Sequence, residues 1–223
     1  MISLVALLVA IVAVYTGAVA INRFRFDSMM ARGDLVPEDS PEEHQPAGRI
    51  FTTDSLCWAA GVQMQRGVRY RITVSILEGW LDRTERADIG GFPTRTLVHF
   101  CAALLRRRWR EYWFKPIARI GRVNGEEHVL DSVTPLAPYI YAPPEPVPGP
   151  RGEKVPQACA DELVRQQPTP AARMTLVAEI RAGRDGDLFL YVNDAVLGIP
   201  GKAGTFYRNN RGSARVQVER LPD

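Results

Sequence analysis

Tyr70-Arg71-Ile72-Thr73-Val74-Ser75-Ile76 alternates aromatic or β-branched residues with polar ones, the period of two that a half-buried strand requires. Just upstream, Gln65-Arg66-Gly67 supplies a turn, and Cys57-Trp58-Ala59 and Val62-Gln63-Met64 read as short strand material. Toward the C-terminus lie Met174 to Ile180, the turn Gly183-Arg184-Asp185-Gly186, Leu188 to Val192, and Ala214-Arg215-Val216-Gln217-Val218. Short strands bounded by Gly-rich turns, without βαβ alternation, predict a mainly β chain built as a β-sandwich rather than a doubly wound sheet.

One segment breaks the pattern. Between Thr94 and Arg110, Leu97, Phe100, Cys101, Leu104 and Leu105 recur at helical spacing, so an amphipathic helix is expected over 94–110, inserted among the strands. It ends in Arg106-Arg107-Arg108-Trp109-Arg110, followed by Tyr112 and Trp113. This cluster has two readings: a site for anionic lipid or nucleic acid, or a solvated helix end whose arginines complement the helix dipole while the aromatics enter the core. Residues 131–167 carry eight prolines between Pro135 and Pro156 and read as a long surface loop with a short helix at Ala158 to Arg165.

At the N-terminus, Ile2 to Ile21 contains no charge. At about 1.5 Å per residue it is long enough for a hydrocarbon layer about 30 Å thick. Residues 2–21 therefore read as a transmembrane helix; a cleaved signal peptide is the competing reading, because Ala18-Val19-Ala20 has the small-x-small form of a cleavage site. Arg23, Arg25 and Arg32 follow the span and nothing basic precedes it except the terminal amine, which favours a cytoplasmic C-terminal domain. The expected location is single-pass in a bacterial inner (plasma) membrane. Residues 22–48 form the linker; within it Gly33 to Gly48 holds five acidic residues and three prolines, a composition suited to an extended spacer. The domain then occupies 49–223.

With 28 Lys and Arg against 25 Asp and Glu, the formal charge is only +3, too small for a nucleic-acid footprint, so no nucleic-acid partner is expected. Cys57, Cys101 and Cys159 are far apart and form no CxxC pair; they read as small buried hydrophobes. Gly90-Gly91 lacks a following GK[ST], no Ser sits in GxSxG, and His44, His99 and His128 have no ligand spacing. Glycan hydrolysis would need two carboxylates about 5 to 10 Å apart, and spacing nominates no pair among Glu78, Asp82, Asp88 and Asp194. The chain is therefore expected not to be an enzyme.

What stands out is Tyr191-Val192-Asn193-Asp194, then twelve residues, then Tyr207-Arg208-Asn209-Asn210-Arg211-Gly212-Ser213. Asp and Asn at strand ends are oxygen ligands for a hard cation such as Ca²⁺, or they make turns and bond their own backbone. Together with Arg66 to Val74 and Glu78-Gly79-Trp80, these segments resemble the PA-I galactophilic lectins, calcium-dependent galactose binders with a jelly-roll, galactose-binding-like β-sandwich. The matches cover about a quarter of the chain. The resemblance implies Ca²⁺ as cofactor, with side-chain ligands Asp194, Asn209 and Asn210, a carbonyl from Phe206, and another near Asp82 or Arg83. It also implies a glycan ligand at Asp194, Asn209 and Trp80. The chain departs from the lectins in the long 195–206 connection, in lacking a His-Pro-Asp-Gln stretch where it carries 94–110, and in its membrane anchor.

Two functions follow as expectations: a membrane-anchored, lectin-like binding protein, or a non-catalytic structural or interaction subunit of a membrane complex, bound to a protein partner, in which sugar binding has been lost.

Overall fold

The computed structural model describes residues 4–37, 48–133 and 174–222. The chain is mainly β. Among the described residues, β1 (Arg49–Thr52), β9 (Asn210–Arg220), β3 (Arg69–Asp82), β4 (Glu85–Ala87) and β7 (Thr175–Arg181) form one antiparallel sheet. β9 lies on one side of β3; on the other, β7 pairs with Arg69 to Ser75 and β4 with Trp80 to Asp82. The second sheet, also antiparallel, runs β2 (Trp58–Met64), β8 (Gly186–Val192), β5 (Pro116–Ile120), β6 (Glu126–Val129).

The alternation in β3 does what it promised. Tyr70, Ile72, Val74 and Ile76 are buried while Arg71, Thr73 and Ser75 are only half-buried, and Arg71 spans its neighbours by pairing with Glu179 on β7 (2.9 Å) and Glu219 on β9 (3.6 Å). β9 crosses Gly79 and Trp80 where the β3–β9 register shifts. Gly212 there has φ +113°, and a Cβ would lie 2.6 Å from the Gly79 carbonyl oxygen and 2.8 Å from Trp80 Cδ1. Only glycine suits both the conformation and the space.

In β8 every residue from Leu188 to Val192 is buried, the signature of a strand covered on both faces. Since side chains alternate, Phe189 and Tyr191 share a face with their β5 partners Arg119 and Ile117. That face is covered by α1 (Leu4–Arg32): the Arg119 guanidinium donates to the Met30 carbonyl (3.0 Å), and Phe26, Met29 and Met30 join the shared core.

α1 is long and apolar enough to cross a membrane or to serve as a signal sequence. It does not stop at Ile21, where the sequence placed the end of the span, but continues to Arg32 and lies against the domain. Asn22 donates to the Val196 carbonyl (3.0 Å) and accepts from the Gly198 amide (2.7 Å). The helix closes with Gly33 (φ +83°), whose amide bonds Met30, and Asp34, whose amide bonds Met29. Gly33 to Pro37 therefore starts not as an extended spacer but as a packed turn with Val36 buried; residues 38–47 of the linker lie outside the described residues, as do 134–173 of the Pro-rich loop, including Cys159 and the short helix expected at Ala158 to Arg165.

The helix expected over 94–110 is shorter and turned over. α2 covers Leu97–Ala102, capped by Thr96, and a 3₁₀ turn follows at Ala103–Leu105. Its buried residue is His99, 8 % exposed, whereas Leu97, Val98 and Phe100 are 78, 71 and 71 % exposed. Cys101 is exposed too, unlike the buried Cys57. Periodicity located the helix but not the face that turns inward, because the imidazole packs against the Phe92 and Trp113 rings, at 5.3 and 5.0 Å.

The first two arginines of the tract do not lie at a solvated helix end. Arg106 and Arg107 are buried. Arg106 donates to the Trp109 and Glu111 carbonyls and lies over the Trp113 ring, which folds the chain into turns where the helix would have continued. Of the aromatics only Trp113 is core; Trp109 and Tyr112 are exposed.

Candidate functional site

The strand ends bring Asp82, Asp194 and Asn210 together. Asp82 closes β3 directly opposite Asn210, the first residue of β9. Asp194 follows the end of β8. Its Oδ1 accepts from the Ala195 amide (2.6 Å), and its Oδ2 accepts from Asn210 Nδ2 (2.9 Å), which also donates to the Thr53 carbonyl (3.2 Å). Asn210 Oδ1 is buried without a hydrogen-bond partner. Asp82 Oδ2 lies 3.4 Å from His99 Nε2 on α2.

Burial, reinforced by the Asp82 carboxylate, pushes the Asp194 carboxyl up to about 7, against the hydrogen bonds from Asn210 and Ala195. Desolvation and a neighbouring carboxylate both disfavour the ionised form of Asp194, so it holds its proton more tightly than a free carboxyl unless a cation meets it.

The remaining sequence candidates lie around this cluster. Asn209 is exposed, at the end of the 3₁₀ turn Tyr207–Asn209; its carbonyl accepts from Arg83 (3.2 Å) and its amide donates to the Phe206 carbonyl (3.4 Å). Trp80 is in the core, 1 % exposed, donating to the Ser213 carbonyl (3.3 Å). Its indole therefore lies beneath the surface that a sugar would stack on. Arg83 takes a left-handed conformation (φ +55°), which carries the chain from β3 into β4 just past the cluster.

Asn193 holds the cover in place. Its Oδ1 accepts from the Arg108 amide (2.9 Å), and its Nδ2 donates to the Arg108 (2.9 Å) and Tyr112 (2.8 Å) carbonyls. The backbone of the same loop adds Arg107 N to Asp194 O (3.1 Å) and Phe114 N to Asn193 O (2.8 Å). Residues 106–114 thus lie across the Asn193-Asp194 turn. The sequence marked Asn193 only as part of the turn. Its signal is that an Asn can satisfy donor and acceptor groups of an irregular loop at once.

As a cation site, the cluster offers oxygen from Asp82, Asp194 and Asn210, and the partnerless Asn210 Oδ1 suits a hard ion. Among the described residues no group of three or more His, Cys, Asp or Glu is arranged to hold a metal, so the ligand set of a Ca²⁺ ion would have to draw on Asn210 and backbone carbonyls. No protein-family model, curated protein or solved structure matches the chain.

Proposed function

We propose that the chain is a single-pass membrane protein carrying a jelly-roll-like, galactose-binding-like β-sandwich that works as a non-catalytic interaction module, its lectin-type site closed to sugar. The observation that carries this reading is the cover over Asp194. The carboxylate is 2 % exposed and both its oxygens accept internal hydrogen bonds, while the loop 106–114 is bound to Asn193 and Asp194. A glycan hydroxyl would have to displace this loop before reaching the position where a lectin presents its ion.

Support for an anchor over a cleaved signal comes from α1 itself. A cut after Ala20 would sever a continuous helix beside Val19, which is buried. The arginines at 23, 25 and 32 favour the cytoplasmic side for the domain.

Asn210 Oδ1 favours a second reading in which Ca²⁺ is bound at Asp82, Asp194 and Asn210 and a glycan is taken up once the loop moves. A glycan array probed with the full chain in detergent, with Ca²⁺ and with chelator, separates the two. The closed-site reading expects no calcium-dependent sugar binding. Galactoside binding that disappears in Asp194→Ala would replace it with the lectin reading.

A further inference from the structure

The connection between β4 and β5 carries an apolar surface that the fold leaves uncovered. Leu97, Val98 and Phe100 project from α2 with more than two-thirds of their surface free, although a six-residue helix could have turned them into the core. Isolated exposed apolar residues are ordinary, but adjacent ones on one short element mark a contact surface.

What covers them follows from their height along α1. Tyr15 donates its hydroxyl to the Cys101 carbonyl at 2.5 Å, and Arg23 donates to the Leu104 and Arg106 carbonyls. Tyr15 lies six residues before Ile21, about 9 Å inside the end of the apolar span at helical rise. The helix surface around that level is itself bare and apolar: Ile11, Val12, Val14 and Ile21 are exposed. α2 therefore stands beside a part of α1 that can be solvated only by hydrocarbon. The chain then climbs past Arg23 to exposed Trp109 and Tyr112, with the Arg110 guanidinium 4.9 Å from the Trp109 ring, the aromatic and basic composition of the headgroup boundary.

We propose that α2 is a monotopic insertion, with Leu97, Val98 and Phe100 embedded in the lipid leaflet alongside the C-terminal third of the α1 span. The proposal rests on the reading of α1 as a membrane anchor. It gives the domain two points of attachment, a spanning helix and a dipped one, and so fixes its orientation on the bilayer where a single helix would let it rotate.

The test is site-specific photocrosslinking of the full chain in vesicles of phosphatidylethanolamine and phosphatidylglycerol, with a benzophenone amino acid at Val9, Val98, Phe100 or Val123 and adducts identified by mass spectrometry. Val123 is an exposed control beside Gly33; Gly33 lies twelve residues beyond Ile21, which at helical rise puts the control about 18 Å outside the span. Lipid adducts at Val98 and Phe100 comparable to those at Val9, and several-fold above Val123, are expected. Adducts at Val9 alone would overturn the insertion and leave the anchor standing. Absence at Val9 as well would overturn both. Protein adducts in place of lipid at Val98 and Phe100 would also overturn the insertion and make α2 a protein-docking surface.

Discussion

The Arg107 guanidinium carbon lies 3.0 Å from the centre of the Tyr191 ring, stacked on it in the interior between β8 and α1. The same side chain donates to the Leu56 carbonyl (2.6 Å) and pairs with Glu127 (3.6 Å), which also takes Arg108 (2.8 Å) and Arg119 (3.4 Å). Burial pushes Glu127 up, but Arg107, Arg108 and Arg119 outweigh it and hold the carboxyl below its ordinary value. Arg107→Ala removes the stacked cation and a principal counter-charge of a buried carboxylate. A loss of about 3–5 kcal/mol in denaturant unfolding is expected; a loss below 1 kcal/mol would show that the network carries little of the stability.

The Asp194 carboxyl, raised to about 7, makes stability depend on pH. A carboxyl with a raised folded-state value binds its proton more tightly in the folded chain than in the unfolded one. The favourable contribution is complete below the ordinary carboxyl value of 3.8 and is lost as pH rises to about 7. Its size is on the order of 4 kcal/mol at most. Asp194→Asn cannot ionise; Asn210 can accept the new amide by turning its unpartnered Oδ1 toward it, at the loss of its hydrogen bond to the Thr53 carbonyl, a cost that does not vary with pH. The variant should lose the downward slope between pH 4 and pH 7 in thermal melts. A slope that persists unchanged would assign it to another group.

Asn193 ties β8 to the 106–114 loop through Arg108 and Tyr112. Asn193→Ala takes the partner from the Arg108 amide and from the Arg108 and Tyr112 carbonyls, which are part-buried, each loss costing up to about 1–3 kcal/mol. Amide exchange should rise first in residues 106–114, with a fall in global stability of about 3 kcal/mol. Uniform destabilisation without local exchange would deny the side chain its holding role.

Gly198 packs against the Asn22 carbonyl and α1, where an added Cβ would fall 2.7 Å from Arg25 Cβ and 2.9 Å from the Phe26 amide. Gly198→Val should therefore push α1 off the domain, costing about 1–3 kcal/mol and exposing 22–32 to protease. Protection equal to that of the parent would mean that the helix tolerates displacement there.

The strands and the apolar helix were legible because each rests on a local pattern. Alternation from Tyr70 to Ile76 can bury only one face, and an uncharged stretch such as 2–21 has little choice but to be helical if it enters a bilayer. The pairing of Asp194 with Asn210 was half legible: the residue types announced a strand-end cluster and the resemblance set a backbone carbonyl near Asp82 or Arg83 beside it, but the Asp82 carboxylate and its neighbour His99 join the cluster only through the β3–β9 register and α2. Nor could the sequence assign an inward face to α2 or keep α1 helical through Arg32. His99 turns inward because Phe92, Trp113 and Asp82 offer it partners, while Phe26, Met29 and Met30 stay helical because the outer face of the second sheet needs a cover. Local periodicity determined which segments are strands and helices. Which surface each one buries was decided by the tertiary structure, since the free energy of burying a side chain depends on what lies opposite it.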